Sequence, residues 1–103
     1  MIEKDIDYQY MFKKTCTDLN QVLKLNNRIN SKLSGSTGVL VLIDGHKIIS
    51  ANVGDSRAIL LTKNNRGELE GVPLTEDHLP ELPGERSRIE KSGGVIRPFK
   101  RKT

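Results

Sequence analysis

The run Val39-Leu40-Val41-Leu42-Ile43 constrains this chain more than any other stretch. Five consecutive apolar residues are too few for a helix, and β-branched side chains among them favour a strand buried on both faces. Asp44-Gly45 follows, a strong hairpin signal, so Ile48–Val53 reads as the returning strand. Gly54-Asp55 marks a second tight turn, into a third apolar strand over Arg57–Thr62. Asn64-Asn65-Arg66-Gly67 is a third turn, and Glu68–Leu74 a weaker strand. Pro73 cannot donate to a ladder, which sends this last strand to an edge or a bulge. Of the 24 positions from Gly38 to Leu61, 13 are apolar, so a core is expected there.

Helices flank this meander. At 100° per residue, Tyr8, Phe12, Cys16, Leu19 and Leu23 share a sector of about 80°, which predicts an amphipathic helix from Asp7 to Leu25. Asp5 and Asp7 suit its start as caps and as partners for its positive end. The stripe turns to Asn26 and Asn30, and Ser34-Gly35-Ser36 breaks any continuation. Asp77 to Gly84, with Pro80 and Pro83, reads as a loop, and Glu85–Ser92 as a short helix stopped by Gly93-Gly94. Val95-Ile96 reads as the start of another strand. The class is α+β. A strand beginning where the chain stops is expected of a fragment.

The formal net charge is +4, and the end of the chain supplies it, because Arg97, Lys100, Arg101 and Lys102 follow a stretch whose charges cancel. A nucleic-acid face needs clustered basic residues and bases need aromatic platforms, but the chain has two Tyr, two Phe and no Trp, so nucleic acid is not the expected partner. The basic end, Arg97 to Lys102, is expected to be a solvated surface run. No apolar run approaches the roughly 18 residues of a membrane span, and Met1-Ile2-Glu3-Lys4-Asp5 lacks a signal-peptide pattern. No membrane partner is therefore expected. Cys16 stands alone, which excludes a disulfide framework and a Cys-rich zinc site. Its place on the apolar stripe predicts a core thiol, and the expected compartment is reducing and intracellular, cytoplasmic or nuclear.

Four short blocks then fall in order: Ser34-Gly35-Ser36-Thr37; Ala51-Asn52-Val53-Gly54-Asp55-Ser56-Arg57-Ala58; Leu74-Thr75-Glu76-Asp77-His78-Leu79-Pro80; and Glu85-Arg86-Ser87-Arg88-Ile89 leading to Gly93-Gly94-Val95. Together they resemble the metal-dependent protein Ser/Thr phosphatases of type 2C, the PPM family. The resemblance spans residues 34–96, with Gly38 in place of the family's usual alanine. It implies an α-β-β-α sandwich of antiparallel sheets, of which this chain would be the central part. Residues 1–103 would form one partial domain: a helix region over 1–33, a β-meander and loop over 34–83, and a short helix with the basic end over 84–103.

The implied activity is hydrolysis of phosphoserine and phosphothreonine in a phosphoprotein substrate by a water activated at a binuclear Mg²⁺ or Mn²⁺ centre. Such hard ions want several carboxylate and water oxygens converging from different strand ends. Asp55 matches the family's aspartate beside an additional, weaker metal site, and its bland alternative is to cap its own turn. The family's other acidic ligands are expected outside this sequence, so residues 1–103 alone are expected to be inactive, with no catalytic residue assigned among them. The natural partner is then the rest of the same domain or another protein chain. The alternative is a non-catalytic, phosphatase-like interaction module in a larger assembly.

Gly54, Ser56, Arg57, Ser36 and Thr37 are expected to support the site. Ser56 and Arg57 are read as locking the turn, and Ser36 and Thr37 as satisfying nearby backbone groups rather than approaching a metal. His78 is read as fixing its loop by a hydrogen bond rather than as an acid or base. Asp44-Gly45-His46 looks like the family's Asp-Gly-His-Gly metal block, but Lys47 replaces the second glycine and the triplet follows Ser34-Gly35-Ser36-Thr37, so it is read as the hairpin turn.

Overall fold

A computed structural model describes residues 6–99. The Asp5 cap and the basic residues Lys100, Arg101 and Lys102 lie outside the described residues. Helix α1 runs over Tyr8–Leu25. The Asp7 carboxylate accepts from the Tyr10 N–H at 3.0 Å, the N-cap geometry that relieves one orphan helix donor. Asn26 leaves the helix in extended conformation, where the apolar stripe ends.

Strands β1 (Gly38–Asp44) and β2 (Lys47–Val53) pair antiparallel from Asp44 opposite Lys47 to Gly38 opposite Val53. The linking turn is Gly45-His46, with Gly45 at φ +58°, the first central position that a type II′ hairpin gives to glycine. The Asp44-Gly45-His46 triplet is thus a hairpin turn, and Asp44 accepts a hydrogen bond from the Tyr8 hydroxyl at the start of α1. Strands β3 (Ile59–Lys63) and β4 (Leu69–Pro73) form a second antiparallel hairpin. Its loop closes on Asn64, whose Oδ1 accepts from the N–H groups of Arg66 at 2.9 Å and Glu68 at 3.0 Å. Helix α2 covers Pro83–Lys91. It ends in a Schellman pair, Gly93 N–H to the Glu90 carbonyl at 3.1 Å and Gly94 N–H to the Ile89 carbonyl at 2.9 Å, with Gly93 at φ +86°.

The α+β class and the antiparallel sheets match expectation. The meander, however, is parted: β2 and β3 do not pair, and the strands form two separate two-stranded sheets. The physical reason is the corner between them. Gly54 at φ +106° turns the chain out of the first sheet, and residues 54–58 cross to the second. Val95-Ile96 forms no strand.

The expected core is also corrected. Among the described residues no side chain is buried; Ile43 keeps 71% of its surface exposed and Leu61 67%. Val39–Ile43 is not covered on both faces, and Cys16 is half-exposed. The apolar stripe of α1 and the β1–β2 hairpin instead line a cleft of about 1040 Å³, with Phe12, Cys16, Leu19, Leu40 and Ile49 on its walls. The radius of gyration is 18.1 Å, against about 13 Å for a compact chain of this length. Two-stranded sheets are marginal in water until a third strand or a helix covers a face, and no such layer closes here among the described residues.

Candidate functional site

The corner Gly54–Ala58 gathers most of the residues singled out above. Its first residue admits only glycine. A Cβ at Gly54 would lie 2.5 Å from Thr37 Cγ2 and 2.9 Å from Thr37 Cβ, and φ is +106°. Thr37, at the entry to β1, therefore packs directly on the corner, and its hydroxyl meets the Ser56 hydroxyl at 2.7 Å. The neighbouring Ser36 hydroxyl donates to the Thr37 carbonyl at 2.9 Å.

The segment Leu74–His78 runs along the other side and fastens both sheets. Towards β2, the Ser50 hydroxyl donates to the Leu74 carbonyl at 2.6 Å. The Asn52 amide donates to the carbonyls of Glu76 at 2.8 Å and Gly54 at 3.0 Å. Towards β3, the Leu74 N–H donates to the Ala58 carbonyl at 2.9 Å, and the Thr75 hydroxyl accepts from the Ala58 N–H at 3.0 Å. The hydroxyl thus stands in for the next rung of the β3–β4 ladder. Between these, the His78 N–H donates to the Gly54 carbonyl at 2.9 Å while His78 Nδ1 accepts from the Gly54 N–H at 3.2 Å.

Arg57 closes the arrangement. Its Nε donates to Asp77 Oδ1 at 3.0 Å and its Nη2 to Asp77 Oδ2 at 2.7 Å, a two-pronged pair that fixes direction as well as distance. These hydrogen bonds hold the Asp77 carboxyl below the usual carboxylate range and raise the Arg57 guanidinium further. Glu85, at the start of α2, is likewise lowered by Arg88, which grips it at 2.9 and 2.8 Å.

From Gly54 to Ala58, Asp55 is the one residue whose side chain and backbone make no hydrogen bond or ion pair among the described residues. It is exposed at the bend. Its carboxylate is the right donor for a hard divalent ion. One carboxylate does not make a binuclear centre, and no group of three His, Cys, Asp or Glu side chains among the described residues is placed to hold a metal ion. The hollow of about 320 Å³ beside the Leu74–His78 segment is lined in part by Glu76, Asp77, His78 and Glu85, yet Asp77 and Glu85 are already taken by Arg57 and Arg88. The residues present therefore do not fit a resident metal pair on their own.

The structure brings Gly54, Ser56, Thr37 and Ser36 to one corner and turns Arg57 onto Asp77. Four side chains of this set escaped the sequence reading: Ser50, Asn52, Thr75 and Asp77. Asn52 carried a usable signal, since asparagine is disfavoured inside a strand and asks for a polar reason to be there. That reason is the pair of carbonyls it bridges; its own Oδ1 is buried without a partner. Asp77 carried none, because its partner lies 20 residues earlier in the chain.

No helix among the described residues is long and apolar enough to cross a membrane. Residues 3–103 match the family model "Protein phosphatase 2C". The chain is 46% identical to "Probable protein phosphatase 2C 12" of Oryza sativa subsp. japonica, over 72% of this chain and 19% of that protein. It is 36% identical to "Probable protein phosphatase 2C 18" of Arabidopsis thaliana, over 91% of this chain and 19% of that protein. It is 43% identical to "Probable protein phosphatase 2C 34" of Arabidopsis thaliana, over 86% and 25% respectively. The chain spans about a fifth of the length of the curated relatives it matches. No solved structure gives a significant match.

Proposed function

Since the chain belongs to the protein phosphatase 2C family, we propose that it supplies one corner of a metal-dependent protein serine/threonine phosphatase. In that reading the substrate is a phosphoserine or phosphothreonine side chain of a protein, and Mg²⁺ or Mn²⁺, when bound, supplies the activated water. This chain's own contribution is structural and electrostatic. Thr37 and Gly54 pack the corner, the Arg57–Asp77 pair fixes its exit, and Asp55 is left as an unengaged carboxylate at the rim. The observation that carries the reading is this contrast between a fastened corner and one uncommitted acid within it.

A single carboxylate cannot clamp two ions and a phosphoryl group, so the account requires further acidic groups that are not assembled among the described residues. The test compares residues 1–103 with the complete protein in Mn²⁺-dependent phosphate release from a phosphothreonine peptide. Turnover is expected only from the complete protein, and Asp55→Ala is expected to raise the Mn²⁺ concentration it needs. Robust turnover by residues 1–103 alone contradicts the reading.

A second reading, a non-catalytic interaction module, is favoured by the uncovered apolar side chains of α1 and both hairpins. A complete protein that binds no Mn²⁺ and releases no phosphate supports it.

A further inference from the structure

We propose that His78 is a positioning residue for the corner, its unprotonated Nδ1 setting the direction in which Asp55 leaves the bend; this rests on the reading of Asp55 given above. Glycine has the widest backbone freedom of any residue, and Gly54 sits at φ +106° with no Cβ to limit it. The two peptide planes flanking Gly54 decide where Asp55 points. His78 holds both. Its Nδ1 accepts from the Gly54 N–H at 3.2 Å, which fixes the plane before the glycine. Its own backbone N–H donates to the Gly54 carbonyl at 2.9 Å, which fixes the plane after it.

The second bond needs only a backbone, and the Asn52 amide supports the same carbonyl at 3.0 Å. The first bond needs this side chain, because no other acceptor among the described residues reaches the Gly54 N–H. The requirement is specific in position as well as in chemistry. An asparagine carries its acceptor oxygen about where Nδ1 lies, whereas glutamine carries it about where Nε2 lies.

The experiment compares His78→Ala, His78→Gln, His78→Asn and Asp55→Asn in the complete protein. Hydrogen exchange at the Gly54 amide is followed by NMR, alongside phosphate release from a phosphothreonine peptide at the Mn²⁺ concentration that half-saturates the wild-type protein. His78→Ala and His78→Gln are expected to speed Gly54 exchange about five- to tenfold, the size of one net hydrogen bond, and to slow phosphate release. His78→Asn is expected to restore both close to wild type. Asp55→Asn is expected to slow phosphate release while Gly54 exchange stays unchanged.

Unchanged Gly54 exchange in His78→Gln, or an asparagine variant no better than glutamine, overturns the positioning role while leaving the reading of Asp55 standing. An Asp55→Asn protein with full turnover overturns that reading and the role with it. Should His78→Ala fail to fold, the glutamine and asparagine variants, alike in polarity, carry the comparison.

Discussion

Helix α1 and the β1–β2 hairpin are joined among the described residues by one side-chain hydrogen bond, from Tyr8 to Asp44, across a cleft of about 1040 Å³. The Gly54–Ala58 corner and the Leu74–His78 segment are laced together at every residue of the corner but Asp55 and Ser56 by backbone, hydroxyl, imidazole and guanidinium bonds, and the Asn52 amide bridges the two. The first region depends on burying apolar layers, which takes more chain than is gathered here. The second depends on short-range polar pairing, which the partners already present complete. A segment can therefore own a finished polar corner without owning a core.

The sharpest way to break that comparison is to ask whether residues 1–103 fold alone. With no side chain buried among the described residues, hydrophobic burial cannot offset an ordering cost of about 1–2 kcal/mol per residue. Thermal and urea unfolding of residues 1–103 followed by circular dichroism are expected to show no cooperative transition. A sharp transition means that the apolar layers close without further chain.

Next in size is Gly54→Ala in the complete protein. The added methyl meets Thr37 Cγ2 at 2.5 Å in a backbone conformation foreign to alanine. Strain of this kind costs about 1–3 kcal/mol, and the contact adds to it. Chemical denaturation is expected to show at least that loss. A change below about 0.5 kcal/mol, the range of an ordinary surface substitution, shows that the corner yields.

The Arg57–Asp77 pair gives a smaller, pH-dependent effect. Hydrogen bonds from Arg57 lower the folded-state pKa of Asp77, whose ordinary value is 3.8. Its contribution to stability is therefore fully present above the ordinary value and is lost as pH falls through the lowered folded value. Arg57→Ala is expected to flatten that part of the acid-unfolding curve of the complete protein, and an identical curve shows that the pair contributes nothing. Smallest of all is Lys14→Ala, which removes an exposed pair with Asp18 at 3.0 Å one turn along α1. Its expected cost is about 0.3 kcal/mol, read by denaturation at low salt, and it fades at high salt.

Much of the local architecture was legible in the residues. The stripe Tyr8–Leu23, the run Val39–Ile43 with its Asp44-Gly45 turn, and the Gly93-Gly94 stop are local signals, and α1, the β1–β2 hairpin and the end of α2 follow them closely. His78 was legible as a loop-fixing side chain, although its partner was not. Burial was illegible, because an apolar run states what a strand wants to cover it and not whether the cover is present. The parting of the two sheets was illegible for a similar reason. Gly54-Asp55 announces a turn, but whether β3 returns beside β2 or crosses to another sheet is decided by bonds from Leu74–His78, some 20 residues away. Asp77 and Asn52 belong to that same set.

The account turns on Asp55 being the acid that this fastened corner leaves uncommitted for a divalent ion. Calorimetric titration of the complete protein with Mn²⁺, wild type against Asp55→Ala, tests that directly. The predicted result is loss of the weaker binding step from the variant while the tighter ions still bind; superimposable isotherms for the two proteins contradict it.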